Sequence, residues 1–311
     1  MFSGIGAFEK ALDNLNVDYN LIKWCENDKY VSTAYSTIHN ESKNKNLGDI
    51  KNAEVNKIND IDLITWGFPC QNFSVANRNG QKGLKGDYSG LYYDGLKIVQ
   101  KIKPKYSIIE NVNSLKGEEL EVILKDLKQC GYKNYYQVLD SQDYGVPQRR
   151  KRLFIISIKQ NLNQSFSFPQ KEKLHKGLEQ YLQDEVRDKY YKVNESIIDR
   201  VKNKKIITGN NDKVICNTII KALPRQGSSG EFILNCALIY HLTGEIRRMT
   251  PLETWRLMGF DDADYFNAKQ ALEKVHYNGR DMSDTRMYNM SANSIVVDVL
   301  EPILESLLKQ Y

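Results

Sequence analysis

The chain has 311 residues, 41% hydrophobic and 27% charged, with a mean hydropathy of −0.55; this fits one large soluble domain plus a smaller one. A net charge of +5 and a pI near 8.7 permit a nucleic-acid partner without requiring one. No apolar run reaches the length of a membrane span, and the start lacks a signal-peptide layout, so a cytoplasmic protein without membrane attachment is expected. The five cysteines and four histidines form no CxxC or HExxH pattern, which argues against a disulfide framework and a metal enzyme.

The chain opens on Phe2, Ser3, Gly4, Ile5 and Gly6, a glycine turn feeding a helix whose apolar face is Phe8, Ala11, Leu12 and Leu15. Such a turn presents backbone N–H groups and the positive end of a helix dipole, which suits a carboxylate or phosphate. A short G-x-G is weak by itself, and an ordinary loop is the plainer alternative. Residues Tyr19 to Cys25 read as a strand ending in Glu26. An acid about 20 residues beyond a glycine turn is where α/β cofactor domains hold ribose hydroxyls. Residues 28–38 read as a helix. Gly48, Asp49 and Ile50 close a third β-like unit, with Asp49 a candidate acceptor for an adenine amino group.

The run from Ile61 to Trp66 reads as a short buried strand, broken by Gly67, Phe68 and Pro69, with Cys70 at its carboxyl end and a polar loop beyond. Ligands and chemistry collect at the carboxyl ends of such strands. A buried structural thiol is the commoner fate of a lone cysteine, so this stretch alone favours a nucleophile only modestly. A helix from Ser89 to about Lys103 is stopped by Pro104. Tyr106 to Ile109 is a strand ending in Glu110, Asn111 and Val112, and burial there raises a carboxyl toward general-acid use. A helix with Leu120, Ile123, Leu124 and Leu127 on one face and Gly131 as its cap follows. Next come a strand at Tyr135 to Leu139, the basic run Gln148 to Arg152 and a core strand at Leu153 to Ile158.

From about Lys159 to Glu245 the α/β rhythm fades, and the stretch reads as a small separate domain with few clear elements. Residues 247–260 give a compact helix ended by Gly259. Ser291 to Ser294 then lead into a helical face from Ile295 to Leu308, with Pro302 expected to kink it.

Six blocks in this order resemble the DNA (cytosine-5)-methyltransferase family: FSGIGAF (2–8), GFPCQNFS (67–74), ENV (110–112), QRRKR (148–152), RMTPLETWRLMGF (248–260) and ANSIVV (292–297). The resemblance covers almost the whole chain except 160–245. It implies a doubly wound, mostly parallel α/β sheet of the Rossmann-like methyltransferase type with an antiparallel edge hairpin. The catalytic domain is expected at 1–159 plus 285–311, with an inserted target recognition domain at 160–284. The implied reaction is methyl transfer from S-adenosylmethionine, leaving S-adenosylhomocysteine, to C5 of a cytosine flipped out of duplex DNA. No metal is implied.

Carbon 5 of cytosine is a poor nucleophile until a thiolate adds at C6. The resemblance assigns that thiolate to Cys70, the N3 contact to Glu110, and the O2 contact to Arg152 with Arg150 beside it. It assigns the donor pocket to Phe2, Ser3, Gly4, Ile5, Gly6, Glu26, Asp49, Ile50, Pro69, Leu91, Asn293 and Ser294. DNA contacts are expected from Gln71, Ser74 and Arg78 on the loop after Cys70, and from Thr218, Arg225, Gln226, Ser228 and Ser229, although a plain flexible loop explains the last four equally well.

Two departures stand out. The family has a strand ahead of FSGxG, whereas this chain starts at Met1, so that strand is expected to be missing; and Ala292 replaces a glycine. The RNA-methylating branch carries a second proline where this chain has Phe68, which favours DNA. A non-catalytic homologue would be expected to lose Cys70, Glu110 or Arg152, and all three are present. An oxidoreductase suggested by G-x-G and Glu26 leaves the other blocks unexplained. A monomer is expected, with a cognate restriction endonuclease as a possible partner in the same system.

Overall fold

The apolar runs of the first half pair into one sheet, buried most deeply at Ile108, Ile109, Ile155 and Ile156. In the computed structural model, residues 1–56, 58–69, 90–191, 193, 195–204, 213–219 and 229–309 are described. The strands are β1 (Leu63–Trp66), β2 (Tyr106–Val112), β3 (Tyr132–Asp140), β4 (Gln148–Arg149) and β5 (Lys151–Lys159). The main sheet has the order β1-β2-β5-β3, with β1 and β2 parallel and β5 antiparallel to both neighbours.

Two of its three pairings are therefore antiparallel, and the sheet is mixed rather than mostly parallel as expected. The segments expected to add further strands do not join it. Within 19–25 only Trp24 pairs, through an isolated parallel bridge to Asn46. Residues Ile50–Asn52 form a 3-10 turn whose first amides are capped by Asp49. A strand needs a neighbour to satisfy its amides, and among the described residues neither segment is paired with β1.

Helices cover both faces. The first four are α1 (Ala7–Asn14), α2 (Lys29–Ile38), α3 (Leu91–Ile102) and α4 (Glu118–Gln129). In the second half follow α5 (Glu195–Lys202), the short strand β6 (Cys216–Asn217), α6 (Ser229–Thr243), α7 (Pro251–Arg256), α8 (Asp262–His276), α9 (Asp284–Asn293) and α10 (Val297–Leu308). Alternate residues of a strand point to opposite faces. Ile108 and Ile156 accordingly join a core with Phe8 and Ala11 of α1 and Val299 and Ile303 of α10. Their neighbours Ile109 and Ile155 join a second core with Trp66, Tyr92 and Val99 of α3, and Ile123 and Leu127 of α4. Each fully buried aliphatic side chain contributes about 1.5–3 kcal/mol, so these two layers fix the sheet's register.

The first core also takes Phe166, Leu178, Tyr190, Cys216 and Leu238, so residues beyond 159 share one apolar interior with α1 and α10. Pairing of β4 with β6 places Gln148 opposite Cys216. The expected helix at 247–260 is shorter: α7 ends at Arg256, and Gly259 turns the chain in the left-handed region (φ 83°). Its start is fixed by a capping box, in which Thr250 accepts from the Glu253 amide while Glu253 accepts from the Thr250 amide. The Glu253 carboxylate also holds the buried Arg247 guanidinium at 2.8 Å and 3.0 Å. Helices α8 and α9 were not foreseen. No helix of the described residues is long and apolar enough to cross a membrane.

Candidate active site

The glycine turn ahead of α1 is held from three sides. The Ser3 amide donates to the Cys25 carbonyl at 2.9 Å, and the Cys25 amide donates back to Ser3 Oγ at 3.1 Å. The Gly4 amide donates to Glu26 Oε2 at 3.1 Å, while Glu26 Oε1 accepts from the Asp28 amide at 2.9 Å. His39 Nε2 meets the Ile5 carbonyl at 3.0 Å. Gly4 and Gly6 both sit at positive φ, 57° and 78°, which glycine adopts without steric cost. Among the described residues no side-chain oxygen caps α1, which leaves its first amides for another acceptor.

An open cleft runs along this turn. It is lined by Phe2 to Ile5, the first helical turn Ala7 to Glu9, the β1 end from Thr65 to Gly67, Glu110, and Asn293 to Ile295. Of the expected donor-pocket residues, the cleft thus gathers Phe2, Ser3, Gly4, Ile5, Asn293 and Ser294. Glu26 stands one hydrogen bond behind it, through Gly4. Burial pushes the Glu26 carboxyl up, against the amides of Asp28 and Gly4 that favour its charge. Asp49 accepts from the Lys51 amide, Ile50 is buried beside Cys25, and Leu91 opens α3; none of these three lines the cleft. Sequence reading passed over Glu9, which is among the cleft's lining residues, and Thr65, whose carbonyl accepts from the Met1 amino group at 2.6 Å. Burial holds that amine below its ordinary value.

At the far end of the cleft stands Glu110. Val112 pairs with Arg152 across β2 and β5, so the two strand ends meet, and Arg152 Nε lies 3.1 Å from Glu110 Oε1. Burial raises the Glu110 carboxyl, and the nearby Arg152 and Arg150 charges partly offset this. Gly67 lies hard against this carboxylate: a Cβ there would sit 3.2 Å from the Glu110 carbonyl and 3.4 Å from Oε2. Asn111 Nδ2 donates to the Phe68 carbonyl at 3.1 Å. The chain is thereby tied to β2 two residues before Cys70. Cys70 itself, with Gln71, Ser74, Arg78, Arg225, Gln226 and Ser228, falls outside the described residues. Pro69 is described, but it is not among the cleft's lining residues.

Arg150 is placed differently from Arg152. It is 3% exposed, and its amino nitrogens donate to the carbonyls of Ile219 (3.2 Å), Ala292 (3.0 Å) and Ser294 (2.7 Å). Its backbone amide donates to Asp140 Oδ1 at 3.1 Å. Thr218 and Ile219 are fixed beside it: the Thr218 hydroxyl donates to the Arg149 carbonyl, and the Ile219 amide donates to Gln148 Oε1. Gln148 Nε2 in turn donates to the Leu257 carbonyl at 3.2 Å. Ser229 is the first residue of α6.

Comparison with known proteins identifies the family. The family described as C-5 cytosine-specific DNA methylase matches residues 1–309. The chain is 35% identical over 282 residues to the type II methyltransferase M2.ScrFI of Lactococcus lactis subsp. cremoris, covering 86% of this chain and 72% of that protein. It is 28% identical to the orphan methyltransferase M.SPBetaI of Bacillus phage SPbeta, over 100% of this chain and 97% of that one. Among solved structures, the Dnmt2 methyltransferase of S. pombe superposes with a TM-score of 0.71 at 22% identity, over 99% of this chain and 97% of that one. The chain belongs to the C-5 cytosine-specific DNA methylase family and is a DNA (cytosine-5)-methyltransferase.

Proposed function

We propose that the methyl donor is S-adenosylmethionine, seated in the cleft along the Phe2–Gly6 turn, and that Cys70, Glu110 and Arg152 act on a cytosine flipped out of duplex DNA. The observation that carries this reading is the meeting of the Glu110–Arg152 pair with the glycine-turn cleft, at the strand end that leads into Cys70. The residues fit the donor. Uncapped amides at the start of α1 suit its carboxylate, and Glu9 at the cleft wall suits its positive charge. When bound, it supplies an electrophilic methyl group. Phe2, Ser3, Gly4, Ile5, Gly6, Asn293 and Ser294 form its immediate seat in this reading. Glu26, Asp49, Ile50, Pro69 and Leu91 form the outer wall.

The chain's own groups then divide the work on the base. The Cys70 thiolate bonds to C6, and the ring's extra electron pair is met at N3 by the Glu110 proton. Burial favours keeping that proton on Glu110 until it is needed. Arg152 donates to O2. Arg150 supports this end of the site by tying 219 to 292 and 294. C5 becomes enamine-like and accepts the methyl group. Loss of its proton and expulsion of Cys70 then release 5-methylcytosine. Extruding the base costs a few kcal/mol, offset by contacts from Gln71, Ser74 and Arg78.

Residues 160–284 act as the target recognition domain, with Thr218, Arg225, Gln226, Ser228 and Ser229 facing DNA, against a catalytic domain of 1–159 and 285–311. In this reading the enzyme works as a cytoplasmic monomer without a metal, either beside a restriction endonuclease of the same specificity or as a phage or solitary methylase. Bisulfite sequencing of DNA from a methylation-free bacterial host expressing the chain, beside Cys70→Ala, tests this. Protected cytosines in one short motif, absent with the variant, are expected. Protection that survives the substitution would remove Cys70 from the mechanism.

A further inference from the structure

The turn that seats the donor in the reading above has a support behind it that belongs to none of the family blocks. His39 follows α2 directly, and its side chain is only 3% exposed. Its Nε2 lies 3.0 Å from the Ile5 carbonyl. A carbonyl can only accept, so Nε2 carries the hydrogen. Ile5 is a group in need of a donor, because the first hydrogen bond into α1 runs from the Lys10 amide to the Gly6 carbonyl, one residue later. The imidazole also presses on Gly6: a Cβ there would sit 2.0 Å from Nε2 and 2.7 Å from Cδ2. The ring is packed against Tyr35, 4.8 Å between centroids, and the Asp13 carboxylate lies beyond hydrogen-bond reach, 3.9 Å from Nδ1. Asp13 is steadied in turn by the Tyr19 hydroxyl at 3.1 Å.

We propose that His39 is a positioning residue of the donor site, pinning the Ile5 carbonyl and filling the space beside Gly6 so that the turn keeps its shape along the cleft. This rests on the reading of the Phe2–Gly6 turn as the donor's seat. The geometry explains two sequence features together. Gly6 lacks a side chain because its backbone is left-handed and because the imidazole occupies the space a Cβ would need. Asp13, Tyr19 and Tyr35, far from any reacting atom, form a backing for one ring.

The test uses the full chain and its His39→Leu and His39→Gln variants. Glutamine retains an amide N–H of similar reach, whereas leucine fills the space without a donor. Titration calorimetry with S-adenosylhomocysteine should show about tenfold weaker binding for His39→Leu, the worth of one hydrogen bond in a buried turn. The KM for S-adenosylmethionine should rise by a similar factor while the KM for DNA holds. Hydrogen exchange of the 2–9 peptide should quicken, and His39→Gln should recover most of each loss. Should His39→Leu fail to fold, His39→Asn, too short to reach Ile5, takes its place. Binding within twofold of wild type and unchanged exchange in the donor-free variant would overturn the proposal, as would equal losses in His39→Gln. A wild-type chain that does not bind the nucleoside would instead overturn the assignment of the donor seat; the exchange comparison still decides whether His39 shapes the turn.

Discussion

Glu110 and Arg152 stand 3.1 Å apart, carboxylate to guanidinium, at the meeting ends of two antiparallel strands. The arginine partly offsets the burial that raises the carboxyl, leaving a group that holds a proton more readily than a surface glutamate yet stays ion-paired. Glu110→Gln keeps the shape and removes the transferable proton. Single-turnover methyl transfer should fall on the order of a hundredfold or more, with S-adenosylhomocysteine binding unchanged by calorimetry. A variant retaining near-wild-type turnover would take Glu110 out of the proton path.

Arg150 and Arg152, two residues apart, should fail in opposite ways. Arg150→Met strands three buried carbonyls. It should cost about 3 kcal/mol or more in urea unfolding, because charged hydrogen bonds are worth ~1.5–3 kcal/mol each. Arg152→Met, which loses one ion pair and not three buried carbonyl contacts, should cost less stability than Arg150→Met yet lose methyl transfer heavily. Comparable stability losses in the two variants would contradict the placement of Arg150 as a strut.

Gly95→Ala offers a test of packing under the site. An alanine inside an exposed helix would stabilise it by about 1 kcal/mol. Here its Cβ would sit 2.6 Å from Trp66 Cζ3. Trp66 is fully buried, bonded through Nε1 to Ser107 at 2.9 Å and stacked on Tyr92, so it has little room to retreat. Overpacking of ~1–3 kcal/mol should outweigh the helical gain. Chemical denaturation is expected to show net destabilisation, and a more stable variant would mean that Trp66 moves.

Asp298, in the first turn of α10 and close under Gly259, supplies a pH dependence remote from catalysis. Burial pushes its carboxyl up to about 6 from an ordinary 3.8. An acid raised on folding binds more protons in the native state, so its contribution is full below the unfolded value and is lost as pH rises through the folded one. Asp298→Asn should therefore gain on the wild type between about pH 4 and 6 and hold that gain above, by up to ~3 kcal/mol. A difference between the two proteins that stays flat with pH would refute the burial argument.

Much of this arrangement was readable beforehand, and the failures have physical causes. The strands at 106–112, 132–140 and 151–159 announce themselves by apolar content, though each runs longer than its apolar centre. Tyr19 to Cys25 has strand-like composition too, but composition cannot supply a neighbour, and only Trp24 finds one. Arg150 and Arg152 look equivalent in QRRKR and would share a face of an unbroken strand. A break falls at Arg150, between β4 and β5, and sends it into the interior. Helix α8 was missed although its reciprocal cap, Asp261 with Asp264, lies in plain sequence. His39 carries no motif at all, and only the fold brings it to Gly6.

The register that sets Val112 opposite Arg152 has a consequence for how such an enzyme tolerates change. The acid and the arginine are located by rungs two apart on one ladder, not by the chain that runs between them through α4 and β3. That intervening chain is free to lengthen or shorten at its turns without separating the pair. A slip of a single rung between β2 and β5, by contrast, would turn Arg152 to the opposite face of the sheet. Insertions are thus cheap in the connections, while the alignment of two strands is held almost without latitude.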